Sequence, residues 1–261
     1  MVSQAGKYLY CIIPCSEVRT FEDVLPVGNT GGRVHTVPHD GLAVVASESP
    51  DTKCESSRAN MMAHERVQER VMNDYCLLPI GFGTVAASAS PDRDIGKLLE
   101  KRSQEFERLL ESVDGKVELG LKALWREEKA IYEEILEENA AIRRLRNSLT
   151  HRPPAALRLE ALPLGEMVKN ALEQKKREEA QALLAPLLRV AQNFRQGDTV
   201  LDRMILNAAF LVEEGRQEEL DQAVSKLDDE LGHRLTLKYT GPYPPWNFVE
   251  IVVNWEEVLG E

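Results

Sequence analysis

The sequence has no basic region. Of its 261 residues 32 are Lys or Arg and 43 are Asp or Glu, for a formal net charge of −11. The densest positive run, Lys175-Lys176-Arg177, is followed at once by Glu178-Glu179. A phosphate backbone would be repelled, so no nucleic-acid partner is expected. No stretch approaches the roughly 18 consecutive apolar residues that a membrane-spanning helix needs, so membrane insertion is not expected either. The opening MVSQAGKYLYCIIPCSE lacks a charged n-region and a small-residue cleavage site, which predicts a cytoplasmic location. Four cysteines, Cys11, Cys15, Cys54 and Cys76, show no CxxC spacing and fit small buried hydrophobes with reduced thiols.

The motifs of catalysis are missing as well. Gly28-Asn29-Thr30-Gly31-Gly32-Arg33 is glycine-rich but lacks the GK[ST] of a phosphate-binding loop. His35 and His39 are four apart, yet Pro38 between them rules out one helical face carrying both as zinc ligands. His64-Glu65 has no second histidine at position 68, and His151 and His233 stand alone at segment edges. No GxSxG elbow occurs. Carboxylates run as Glu-Glu pairs along helix faces, the pattern of a solvated surface. The expectation is a protein with no catalytic, cofactor or metal residues.

Hydrophobic content of 43% beside 29% charged residues supplies a globular core. Lys7 to Ile13 (KYLYCII) predicts a strand, and Arg33 to Val37 is expected to pair with Gly41 to Ser47 across the His39-Asp40-Gly41 turn. From Ser56 to Asp74 an amphipathic helix is predicted, with Met62, Val67 and Val71 on its apolar side. Leu77 to Ile80 predicts a further strand. Ser90 and Pro91 open a helix whose apolar positions run from Ile95 to Val113.

Lys116 to Trp125 alternates, with Val117, Leu119, Leu121, Ala123 and Trp125 on one side. Glu127 to Leu149 predicts one long helix, interrupted by Arg152-Pro153-Pro154 and followed by a second from about Pro163 to Leu184. Leu187 to Arg195 and Asp202 to Val212 predict strands. Gln217 to Leu231 predicts a helix closed by Gly232, and Arg234 to Tyr239 a strand ended by Gly241-Pro242. Phe248 to Val253 is strand-like again.

The order from Lys116 onward is β, helical hairpin, β, β, α, β, which is the split βαβ or ferredoxin-like order with an enlarged first crossover. The expected architecture is α+β in two domains: a small α+β unit at 1–114 and a ferredoxin-like unit at 115–241 with its hairpin at about 127–189. A tail, 242–261, is expected to pack a short strand back on the body.

Two aromatic-proline stretches remain. In GPYPPWNFV, Gly241 to Val249, three prolines hold Tyr243, Trp246 and Phe248 within nine residues. Each ring left in water would forgo about 1.5–3 kcal/mol of burial free energy, so something covers them. That cover is either the chain's own core or an apolar partner seated on a rigid platform. In LLPIGFGTV, Leu77 to Val85, Phe82 projects between two glycines and is open to the same two readings. The candidate partner-binding residues are Tyr243, Pro244, Pro245, Trp246 and Phe82.

LLPIGFGTV resembles the LP-x-x-FGT segment of the gas vesicle GvpF/GvpL family, and GPYPPWNFV resembles that family's GP-W/Y-PP-Y/W-x-FV signature. KVELGLKALW, LNAAFLV and KYLYCII are similar to its other strands, so the resemblance spans nearly the whole chain. Gly81 departs from the pattern, which often has a basic residue there, and Tyr243 and Trp246 stand in the reverse aromatic order. The resemblance implies a minor, accessory gas vesicle protein without catalysis, bound to the very hydrophobic shell subunit GvpA and to other minor gas vesicle proteins. It implies help with nucleation and assembly of the buoyant shell, and protection of GvpA from aggregation. A high net charge suits such an escort. The reading from another class is a small-molecule enzyme or sensor on a ferredoxin-like scaffold, a fold that hosts many functions. A third is a self-assembling structural module.

Overall fold

A computed structural model describes residues 6–29, 32–149 and 161–260. The Thr30-Gly31 part of the glycine-rich segment, His151 and the Arg152-Pro153-Pro154 break lie outside these residues. The fold is mixed α/β with two antiparallel sheets and eight helices among the described residues. The chain divides into two compact units, Met1–Glu118 with Pro242–Glu261, and Leu119–Gly241.

The first unit is built on a sheet of β1 (Gly6–Pro14), β2 (Thr20–Phe21), β3 (Val34–His39), β4 (Leu42–Ser49), β5 (Leu78–Pro79) and β6 (Val85–Ala86). The order is β2-β3-β4-β1-β5, with β6 also pairing β1. β3 and β4 form the expected hairpin, with Val37 opposite Val44 and His39 opposite Leu42. Asp40 (φ 46°) and Gly41 (φ 87°) supply the two positive φ values that a tight two-residue hairpin turn demands.

β1 is buried along almost its whole length, which requires cover on both faces of the sheet. Its register with β4 shifts between Leu9 and Cys11. Such a bulge places two successive residues on one face. Leu9 and Ile12 join one core cluster with α2 (Pro91–Lys101) and α3 (Ser103–Val113), while Tyr8, Tyr10, Cys11 and Ile13 join another with α1 (Arg58–Met72).

The apolar positions expected from Ile95 to Val113 are buried, but they sit on two helices that meet at Arg102. Arg102 stacks its guanidinium 4.9 Å over the Phe106 ring, pairs with Glu105 and donates to the Val252 carbonyl at 2.9 Å. The C-terminal residues complete this core: Val249, Ile251 and Val258 belong to the same cluster. The expected strand at Phe248–Val253 contracts to one parallel bridge between Ile251 and Ile80. The cause is the turn before it, in which Val249 N–H donates to the Pro245 carbonyl at 2.9 Å. A short helix, α8 (Trp255–Leu259), capped by Asn254 and closed by left-handed Gly260, ends the chain.

The second sheet has the order β10-β7-β9-β8, with β7 (Lys116–Trp125), β8 (Asn193–Gln196), β9 (Met204–Glu213) and β10 (Leu235–Tyr243). The single helix expected at 127–149 is two, α4 (Glu128–Glu138) and α5 (Ala140–Leu149). They meet at Asn139, whose side-chain amide donates back to the Ile135 carbonyl at 3.0 Å, the local competition that makes asparagine a helix terminator. α6 (Leu162–Leu187) begins with Pro163 in its first turn and runs on past Pro186. It therefore takes the residues at the head of the strand expected from Leu187, leaving the shorter β8. α7 (Gln217–Leu231) buries Leu220, Val224 and Leu227. β10 continues through Gly241-Pro242, contrary to expectation. It is an edge strand, where proline leaves no ladder bond unmade.

Candidate functional site

The first unit holds a cavity of about 240 Å³ in which the two aromatic-proline stretches meet. Phe82 and Trp246 both line it, with His64, Glu65 and Gln68 from α1, Ile80 and Glu250. Residues 164 positions apart thus form one wall, because β5 and the C-terminal segment bridge through Ile80 and Ile251.

The expected site residues divide into ring surface and support. Pro244 and Pro245 are buried, and the turn they begin is closed by Trp246 N–H donating to the Pro244 carbonyl at 2.7 Å. Trp246 is half-buried. Tyr243 stacks on it, centroids 5.1 Å apart at 23°, and the Trp246 indole N–H donates to Gln68 Oε1 at 2.6 Å. Asn247 clamps the same turn from its other end: its backbone N–H and side-chain amide donate to the two carboxylate oxygens of Glu118 at 2.7 and 2.5 Å. Glu118 is only 3% exposed, and burial raises its pKa against the pull of those two bonds. Phe82 is half-buried and edge-on to both Tyr8 (6.3 Å) and His64 (5.7 Å), so it belongs to the core and to the cavity wall at once.

Beneath the wall lies a polar hub. His64 and Gln68 sit one turn apart on α1 and are 5% and 1% exposed. Gln68 Nε2 donates to the Tyr10 carbonyl at 2.6 Å and lies 3.3 Å from the Ile80 carbonyl, which fixes Oε1 as the acceptor for Trp246. His64 Nε2 lies 2.9 Å from the Gln68 amide nitrogen and 3.1 Å from the Ile80 carbonyl, so it accepts from the first or donates to the second according to its tautomer. The Tyr8 hydroxyl bonds Nδ1 at 3.0 Å and accepts the Gly83 N–H at 3.0 Å. Burial pushes His64 down to about 4 and the Tyr8 phenol up, so both are neutral at pH 7. Tyr10 completes the hub, accepting the Val27 N–H at 2.9 Å and bonding Ser47. No buried side-chain polar atom among the described residues lacks a partner.

His64 and Gln68 are the residues that the sequence reading missed. The predicted apolar stripe of α1 included Met62, which is 39% exposed; the buried positions are His64, Val67, Gln68 and Val71. The i, i+3, i+4, i+7 spacing was there to find, but two of its members are polar types usually assigned to a solvated face. His35 and His39 lie elsewhere: His35 Nε2 meets Lys7 Nζ at 2.9 Å, and His39 lies beside Asp40. No three His, Cys, Asp or Glu side chains among the described residues are placed to hold a metal ion, and no helix among them is long and apolar enough to cross a membrane.

The cavity thus has two aromatic walls, Phe82 and Trp246, above a neutral polar base. The family profile described as gas vesicle synthesis protein GvpL/GvpF matches residues 6–250, and the chain belongs to that family. It is 29% identical to gas vesicle protein F of a Streptomyces species over 94% of this chain and all of that one. It is 28% identical to gas vesicle protein L of the same organism, over 94% and 93%. The crystal structure of GvpF from an Anabaena species superposes with a TM-score of 0.82 at 24% identity, over 95% of this chain and 100% of that one. The crystal structure of GvpF from Microcystis aeruginosa gives 0.77 at 25% identity, over 94% and 99%.

Proposed function

We propose that this chain is a cytoplasmic accessory protein of gas vesicle formation that binds the hydrophobic shell subunit GvpA, keeps it from aggregating and assists nucleation and assembly of the shell. It acts by binding, without catalysis or cofactor. The observation that carries this reading is the convergence of Phe82 and Trp246 on one cavity, with Tyr243, Pro244 and Pro245 holding the indole in place. An aromatic surface that is ordered before binding loses little conformational entropy when an apolar partner arrives. The net charge of −11 keeps such a protein dispersed while it carries a sticky cargo.

The architecture belongs to the same proposal. Residues 115–241 are taken as a ferredoxin-like domain, supported by the strand order β10-β7-β9-β8 and by α4 to α6 in the first crossover. The domain limits are taken as 1–114 and 115–241, and residues 242–261 as a tail that completes the first domain.

The test is retention of GvpA by the purified chain in a pull-down, together with suppression of GvpA precipitation followed by light scattering. Tyr243→Ala combined with Phe82→Leu should weaken retention severalfold. Absence of both retention and suppression in the wild-type chain sinks the proposal.

A further inference from the structure

We propose that the Phe82–Trp246 cavity is an arginine-recognition site: it takes the side chain of an arginine that a partner protein presents among apolar residues. The inference rests on the proposed capture of a protein partner and adds the chemistry of what is captured. Two carboxylates stand at the cavity, and neither is used by the fold. Glu65 and Glu250 both line it, both are exposed, and among the described residues neither has a hydrogen bond or ion pair. Glu250 lies over Gly81, one carboxylate oxygen 3.6 Å from where a Cβ would stand, which brings the charge to the backbone beside Phe82. No Lys or Arg lines the cavity to neutralise either group. Elsewhere the chain pairs its carboxylates readily, as with Arg70–Asp23 and Arg102–Glu105.

The walls select the shape of the cation. Tyr243 covers one face of the Trp246 indole and Gln68 holds its N–H, so the remaining ring surface meets the cavity in a fixed orientation. Phe82 is braced edge-on by Tyr8 and His64. A planar guanidinium stacks on such rings and offers forked N–H donors to flanking carboxylates, which a compact ammonium cannot do in one pose. The methylene stem of arginine lies along the half-exposed Phe82 ring. The hub beneath is neutral, since His64 and Gln68 are both uncharged, and it does not oppose a cation above it.

The experiment titrates the full chain with the peptide acetyl-Leu-Arg-Leu-amide and follows the Trp246 indole N–H resonance. The same titration uses the lysine peptide and the citrulline peptide, which keeps arginine's shape without its charge. The expected result is a saturable shift with arginine that weakens about tenfold with citrulline and severalfold with lysine. Glu65→Gln/Glu250→Gln, whose melting temperature should match the wild type, is expected to bind the arginine peptide about tenfold more weakly. Equal binding of the arginine and citrulline peptides, equal binding by the double variant, or no movement of Trp246 overturns the inference. Retention of GvpA is scored in parallel. Retention with an unmoved Trp246 removes the arginine site and leaves the proposed capture standing. Arginine binding without retention of GvpA does the reverse.

Discussion

Each unit of this chain packs a tryptophan and satisfies its indole N–H with a side-chain oxygen, but the two choose different acceptors. In the first unit Trp246 donates to the Gln68 amide at 2.6 Å. In the second, Trp125 donates to the Glu179 carboxylate at 2.7 Å. Around Glu179 the second unit builds an ionic mesh: Arg234 takes Glu179 and both oxygens of Glu134, and Lys175 takes Glu134 and Glu138. Around Gln68 the first unit uses only neutral groups, and its exposed carboxylates Glu65 and Glu250 stay free among the described residues. A charged mesh of this kind pins α4 and α6 to the end of a sheet, and its charges answer one another. A neutral hub leaves the charges at the surface above it available to a partner. On the proposed function, the second unit holds a shape and the first receives a partner.

The strongest way to break the comparison is to remove the C-terminal segment. Ending the chain at Gly241 takes Val249, Ile251 and Val258 out of the first unit's core. At about 1.5–3 kcal/mol each, that loss is comparable to the whole stability of a domain. The first unit is expected to lose cooperative folding while amides of Leu119–Gly241 keep their hydrogen-exchange protection. Full protection in both units would show that the segment is an ornament. Next in size is Gln68→Leu, which leaves the Trp246 N–H without its acceptor and takes one of two donors from the Tyr10 carbonyl, which keeps the Ile80 N–H. A cost of about 3 kcal/mol is expected by urea denaturation. A cost below about 1 kcal/mol would mean that water replaces the amide and that the hub is no keystone.

Acid should separate the units by their chemistry. His64 is held near 4 in the fold, against an ordinary value of about 6.5. A group depressed in this way leaves stability intact above pH 6.5 and withdraws it as pH falls toward 4, by at most roughly 3 kcal/mol. Glu118, raised by burial, works in the opposite sense and softens the loss as pH falls. In the second unit Glu134 is pulled to about 2 by Arg234 and Lys175, so its contribution is intact above pH 4.5 and is lost between 4.5 and 2. Hydrogen exchange at pH 7, 5 and 3 should therefore show the first unit loosening before the second. In His64→Gln the first unit should be weaker at pH 7 and should lose little more between 6.5 and 4. The reverse order of loosening would contradict the division between neutral hub and ionic mesh.

The elements that repeat a simple period were legible. β1, the β3–β4 hairpin, β9 and α7 follow from alternation, turn chemistry and helical spacing, because each buries one ordered set of apolar side chains. What escaped is set by single polar contacts across long separations. The breaks at Arg102 and Asn139 depend on one guanidinium and one amide finding backbone carbonyls. Glu118 reads as the solvated side of an alternating strand, and only Asn247, 129 residues later, makes its burial tolerable. The site was half legible on the same grounds. The oddly composed stretches around Phe82 and Trp246 announced themselves, while His64 and Gln68 looked like ordinary helix surface. A pattern of polar residues at i and i+4 on an otherwise buried face carries its meaning only once the partner rings are in place.

The smallest expected effect on stability is the most informative about the surface. Tyr243 makes one stacking contact, with Trp246, and is half-buried. Its removal in Tyr243→Ala should cost about 1 kcal/mol by denaturant melt, the ordinary worth of an aromatic pair. Trp246 would keep its bond to Gln68 but lose the ring that holds its orientation, so capture of an apolar partner should fall several times more steeply than stability does. Trp125 offers the counterpart in the second unit, where the indole is fully buried and bonded to Glu179. Trp125→Phe should lower stability by more than Tyr243→Ala and leave capture untouched. If instead both variants change binding and stability in the same proportion, the two units do the same work, and the division between a holding unit and a receiving unit fails.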